Sequence, residues 1–165
     1  MQDGWQRLNL ISLVLAIAIV AALGLAWWRD RTRTYAAPRW DPTRFVALAP
    51  EAASGTRAAG RERWVVAVSL ACPHCKEHLR TLAARTSTRP VRPALTALIV
   101  DQPGRPERLD LGVPFAGGAW WDSAQVWRES WGRRAYGETF RFDARGAFLS
   151  STPAGVVPDS AAVRM

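Results

Sequence analysis

The order of hydrophobic runs predicts an α/β fold, a central mixed sheet flanked by helices, preceded by one N-terminal transmembrane helix. Three observations carry this. An uncharged apolar run opens the chain from Leu8 to Trp28. From Arg63 onward, short apolar runs alternate with a helical pattern in the order strand, helix, strand, helix, strand, strand. The first strand-to-helix junction holds Cys72 and Cys75, the two cysteines of the chain. A parallel βαβ unit followed by a hairpin closes around one sheet with helices packed on it.

The run Leu8–Trp28 contains no charged residue. At about 1.5 Å per helical residue it is long enough for the roughly 30 Å hydrocarbon core of a bilayer. Trp5 lies before it, and Trp27 and Trp28 close it, as interfacial rings do. A cleaved signal peptide and a buried core helix are the competing readings. A signal peptide has a shorter apolar region, about 7–15 residues, and a small-residue cleavage site. The exit here, Trp-Trp-Arg-Asp-Arg, offers no such site, so an uncleaved anchor is expected. Arg7 flanks the front of the run, while Arg29, Arg31 and Arg33 flank the back. The positive-inside rule would place the C-terminal side in the cytoplasm. The cysteine chemistry below favours the opposite side, and the expectation adopted is an inner-membrane, single-pass protein with a periplasmic or other extracytoplasmic domain.

Composition narrows the partners. The formal net charge is +8, carried by 21 arginines and a single lysine scattered along the chain. No nucleic-acid motif accompanies the charge, so nucleic acid is not an expected partner. Membrane lipid is one, through the N-terminal helix.

The segments then follow in order: an anchor over 1–30, a tether and approach segment over 31–60, a globular domain over 61–155 and a loose tail over 156–165. Within the approach segment, Arg39-Trp40-Asp41-Pro42 reads as a turn and Phe45 to Leu48 as a short edge strand. Residues 51–60 are rich in Ala, Gly and Ser and read as a loop. Trp64 to Leu70 is apolar and β-branched, a strand covered on both faces. Lys76 to Arg85 is a helix with Leu79, Leu82 and Ala83 inward. His78 is most simply a surface residue of that helix. Ala94 to Val100 is a second buried strand, and Gln102 to Gly118 is loop.

Asp122 or Ser123 can cap a helix running to about Trp131, stopped by Gly132. Trp120, Trp127 and Trp131 then form an aromatic core face rather than a stacking platform. Glu138 to Asp143 alternates Thr139 and Arg141 against Phe140 and Phe142. It makes a hairpin with Ala147 to Ser150 across the turn at Asp143–Gly146.

The cysteine pair carries the chemistry. A cysteine at the mouth of a helix meets unsatisfied backbone N–H groups and the positive end of the helix dipole, which favour a thiolate there. Cys72 is so placed. Cys75 lies one turn on, within reach of a mixed disulfide on Cys72. Pro73 suits a helix start, where its missing N–H costs nothing. His74 adds a titratable group beside both sulfurs that tunes the pair. A pair bound to a metal and a pair that is merely buried are the alternatives. Zinc sites normally draw a second ligand pair from a distant segment, and the chain has no further cysteine.

The segment Trp64 to Leu82 resembles the active-site unit of the thioredoxin-like superfamily, and its Pro-His dipeptide resembles that of the oxidising DsbA proteins. Trp131 to Gly146 is similar, without a gap, to a stretch of the membrane-anchored TlpA/ResA-type thiol–disulfide oxidoreductases. Gly132, Thr139, Phe140, Asp143 and Gly146 keep that pattern, and the resemblance covers roughly residues 40–155. It implies a thioredoxin-like fold, a redox-active disulfide between Cys72 and Cys75, and Tyr136 and Gly137 as substrate-binding positions.

One departure stands out. The family places a cis-proline where this chain has Gly137. A cis bond before a non-proline costs about 3 kcal/mol, so a trans bond is expected, with altered substrate presentation. The buried acid that often assists the second cysteine has two candidates by position, Glu62 and Asp101.

The expected function is a membrane-tethered thiol–disulfide oxidoreductase without cofactor. Cys72 is the nucleophile and Cys75 the resolving thiol. The partners are protein thiol or disulfide substrates, with a membrane protein as redox partner. The alternatives are a thioredoxin-fold metal-handling or assembly protein binding a soft ion such as Cu(I) through Cys72 and Cys75, and a tethered scaffold whose cysteines are idle.

Overall fold

The computed structural model describes residues 2–48, 60–107, 109, 111 and 117–158. Most of the loop expected over 51–60, and the tail beyond residue 158, lie outside them. The chain divides into two units, Met1–Thr34 and Tyr35–Met165.

The first unit is helix α1, Gln2–Thr32. Its stretch Ile11–Arg29 is long and apolar enough to cross a membrane, and the large apolar side chains from Ile11 to Trp28 are exposed.

The second unit begins well before residue 61. Asp41 caps a single 3₁₀ turn, Pro42–Arg44, accepting at Oδ1 from the Thr43 amide at 3.0 Å and the Thr43 hydroxyl at 2.6 Å. Strand β1, Val46–Ala47, follows. Trp40 and Phe45 are buried in the core. Residues 39–48 are therefore part of the domain and not tether. Burial of their two aromatic rings offsets chain entropy lost in ordering the segment.

The remaining elements are β2 (Arg63–Val68), α2 (Pro73–Ser87), β3 (Ala94–Ile99), β4 (Ala119–Trp121), β5 (Thr139–Phe142) and β6 (Phe148–Thr152). They form one six-stranded sheet in the order β1-β4-β3-β2-β5-β6. Strands β2, β3 and β4 are parallel. The hairpin β5–β6 joins β2 antiparallel, and β1 joins β4 antiparallel at the other edge. The parallel βαβ unit and the final hairpin are those the sequence pattern predicts.

Side-chain alternation on the central strands builds two cores. Trp64, Val66 and Val68 of β2 face α2 with Leu95, Ala97 and Ile99 of β3. Val65 and Ala67 face the other way with Leu98. That second face is covered by aromatic rings: Trp40, Phe45, Trp120, Trp127, Trp131, Phe140 and Phe142.

Three expectations are corrected here. The helix expected from Asp122 to Trp131 is a five-residue π turn, Val126–Ser130. Asp122 still caps, taking the amides of Val126 and Trp127 at 2.7 Å each, but Gln125 sits in the left-handed region and breaks the helix before it starts. The three tryptophans are core, as expected, but Trp120 comes from β4 and not from a helix face. Strand β4 itself has no signal of its own: three residues become a strand by hydrogen-bonding to β3, with Leu98 opposite Trp120. The hairpin's outer strand runs on to Thr152, and Val157 packs on the core, so the chain after Ser151 is tied down as far as Pro158, whose carbonyl accepts from Arg89 at 2.9 Å. In β5 all four residues are buried, Arg141 included, because the strand is covered on both faces.

Candidate active site

Strand β2 ends at Val68, and a turn closed by the Cys72 amide on the Ser69 carbonyl at 3.0 Å leads into α2. Cys72 is extended (φ −96°, ψ 105°) and is the N-cap of α2, with Pro73 in the first turn. Its sulfur accepts from the Cys75 backbone N–H at 3.3 Å, so a thiol group takes the place that a serine or aspartate oxygen usually fills. The two cysteines differ in access. Cys72 is half-buried, Pro73 and His74 are exposed, and Cys75 is 1% exposed. Burial, reinforced by its hydrogen bond to Cys72, pushes the Cys75 thiol up to about 12. Both thiols are free.

His78 is the main surprise on α2. It is buried, not a surface residue, and its Nε2 lies 3.0 Å from the Thr139 hydroxyl of β5. Burial pulls its imidazole below the ordinary 6.5. The signal was in the spacing: 75, 78/79, 82 and 86 share one helix face, and all are buried.

The loop before β5 passes beside the end of β2. The Gly137 amide donates to the Ala67 carbonyl at 2.7 Å, and the Ala67 amide donates to the Glu138 carbonyl at 3.1 Å. Among the described residues every peptide bond is trans, Tyr136–Gly137 included. Gly137 has φ +79°, and a Cβ built on it would lie 2.9 Å from that of Ala154. This backbone suits glycine.

Tyr136 stacks on Trp127, with centroids 5.8 Å apart and planes at 15°, and donates to Asp101 Oδ2 at 2.7 Å. Arg128 pairs with the same oxygen. These residues line a cleft of about 430 Å³ together with Gln102, Pro103, Asp122, Ser123 and Gln125.

Neither acid proposed for Cys75 serves it. Glu62 bonds Arg141 Nε at 2.6 Å and Trp64 Nε1 at 2.7 Å, at the start of β2, the opposite end from the cysteines. Asp101 is taken by Arg128 and Tyr136. The upward shift at Cys75 comes from burial and from Cys72, against a smaller opposing pull from the local backbone. Among the described residues no group of three or more His, Cys, Asp or Glu is arranged to hold a metal ion.

Fold and site together define an α/β domain built on one mixed six-stranded sheet, with a Cys-Pro-His-Cys pair at the head of the helix that follows the central strand β2. No protein-family model and no curated protein matches the chain. Among solved structures it is similar to the pneumococcal exposed lipoprotein thioredoxin (Etrx1) of Streptococcus pneumoniae, at 14% identity and TM-score 0.46 over 62% of this chain and 81% of that one. It is also similar to a secreted Mycobacterium tuberculosis disulfide oxidoreductase homologous to E. coli DsbE, at 14% identity and TM-score 0.40 over 64% of this chain and 78% of that one.

Proposed function

We propose that this protein is a membrane-tethered thiol–disulfide oxidoreductase of the TlpA/ResA type that exchanges disulfides with protein substrates. One observation carries the reading: an accessible sulfur, Cys72, caps a helix while a buried thiol, Cys75, sits one turn behind it with its amide 3.3 Å from that sulfur.

The steps follow from that geometry. The Cys72 sulfur, as thiolate, attacks one sulfur of a substrate disulfide. A bond forms between Cys72 and that sulfur, and the other substrate sulfur leaves as a thiolate that takes up a proton. Cys75 then gives up its proton and attacks Cys72. The Cys72–substrate bond breaks, the second substrate thiol departs, and Cys72–Cys75 is left oxidised. Two electrons and two protons have passed to the substrate, and the reverse sequence oxidises a dithiol. Pro73 and His74, both exposed, form the rim the substrate meets, and His74 tunes the pair when protonated. Tyr136 and Gly137 flank the substrate backbone.

Helix α1 is the anchor, lying in the inner (cytoplasmic) membrane, and the domain works on the side where disulfides persist, outside the cytoplasm. A reporter fused to the C-terminus reads that side directly; cytoplasmic activity of the reporter would overturn the placement. The activity is tested with the full chain in detergent, following reduction of a protein disulfide such as insulin with a thiol reductant supplied. Turnover that vanishes in Cys72→Ser is expected. Absence of turnover in both directions, reduction and oxidation, would sink the reading.

A further inference from the structure

Asp101, Arg128 and Tyr136 come from three separate segments: the exit of β3, the π turn and the loop before β5. One oxygen, Asp101 Oδ2, takes both the Arg128 guanidinium and the Tyr136 hydroxyl. The Tyr136 ring is held on one face by fully buried Trp127 and remains 38% exposed. The next residue, Gly137, is bonded to Ala67 of β2, beside the strand that delivers the cysteines.

The backbone adds a second, independent observation. Among the described residues, the non-glycines with positive φ are Asp101 (φ 54°) and Gln125 (φ 51°), and both line the same cleft. A left-handed L-residue costs on the order of 1 kcal/mol, less for an aspartate, and such strain persists only where surrounding bonds hold it. At Asp101 the bonds that hold it are those to Arg128 and Tyr136.

We propose that Asp101 is a positioning residue: by tying Tyr136 and Arg128 at one carboxylate oxygen, it fixes the Tyr136–Gly137 segment beside the cysteine pair as the wall against which an extended stretch of the partner polypeptide docks. The proposal rests on the disulfide-exchange reading above. It assigns Asp101 to presentation of the partner chain, in place of the assistance to Cys75 that its sequence position suggested.

The test compares the full chain in detergent with Asp101→Gly, whose backbone suits φ 54°, and with Tyr136→Phe, which keeps the ring stack and loses one hydroxyl. Two substrates are used, a protein disulfide and a small aromatic disulfide that needs no docking wall. For the protein, KM is expected to rise about 3- to 10-fold in either variant, the net size of one ordinary hydrogen bond, with kcat within about 2-fold. The rate of Asp101→Gly with the small disulfide should stay within about 2-fold. The double variant should be no worse than the poorer single one, because both remove the same bond. An unchanged protein KM, an equal loss on the small disulfide, or multiplying losses in the double variant would overturn the proposal while leaving the disulfide-exchange reading intact. A wild-type chain that exchanges no disulfide overturns that reading, and this inference with it.

Discussion

The Cys75 amide points at the Cys72 sulfur from 3.3 Å, yet the two side chains sit in unlike surroundings: Cys72 reaches the surface and Cys75 is sealed behind it. One sulfur meets the outside, and the other lies one helical turn behind it.

The thiols should therefore separate by reactivity. With Cys75 pushed up to about 12, only about one part in ten thousand of it is thiolate at pH 8. Brief iodoacetamide treatment at pH 8 should label one thiol per chain. Cys72→Ser should lose that label, Cys75→Ser should keep it, and Cys75→Ser should also accumulate a mixed disulfide with substrate. Equal labelling of both cysteines in the folded chain would contradict the structure.

His78 makes stability depend on pH. Its imidazole is lowered below 6.5 by burial. Between that lowered value and about 6.5, the unfolded chain binds a proton that the folded chain does not. Stability is thus full above about pH 6.5 and falls as pH drops toward the folded value, by at most about 1.4 kcal/mol per pH unit. Urea midpoints at pH 7.5 and 5.5 should differ more in the wild type than in His78→Gln. Parallel behaviour of the two proteins would show that His78 does not carry the dependence.

A proline at position 137 should harm this chain. Gly137 has φ +79° and donates its amide to Ala67, whereas proline fixes φ near −65° and has no N–H to give. Gly137→Pro should cost about 3 kcal/mol or more. Gly137→Ala should cost about 1–2 kcal/mol through the left-handed backbone and the crowding at Ala154. Denaturant titration measures both, and a neutral Gly137→Pro would mean that this loop is not as described.

At the far end of the sheet, Arg141 Nε bonds Glu62 at 2.6 Å with only 3% of the arginine side chain exposed. Burial pushes the Glu62 carboxyl up, but the bonds from Arg141 and Trp64 outweigh it and the net shift is down. Removing the charge in Glu62→Gln should cost about 2 kcal/mol at neutral pH. The loss should shrink as pH falls from about 4.5, where the unfolded chain takes up the proton, through the lower value of the folded carboxyl. A difference between the two proteins that stays constant down to pH 3 would refute the pairing.

Much of the site could be read along the chain because its parts are local. A cysteine before a proline at a strand-to-helix junction, with a second cysteine one turn later, fixes its own capping geometry whatever the rest of the fold does. The buried strands at Trp64 and Ala94, the βαβ unit and the final hairpin were equally legible, since each carries its own periodicity and turn residues.

Tertiary structure alone decided the rest. It put His78 against Thr139, made a strand of Ala119–Trp121 by pairing it with β3, and replaced an expected helix with a π turn under Asp122. It also brought Asp101, Arg128 and Tyr136 to one oxygen. Apart from the local cap at Asp122, these contacts join residues 22 to 61 positions apart, from Leu98 and Trp120 to His78 and Thr139. Local propensity carries no information about them, because burial and hydrogen-bond partners are set by which faces the closed sheet brings together.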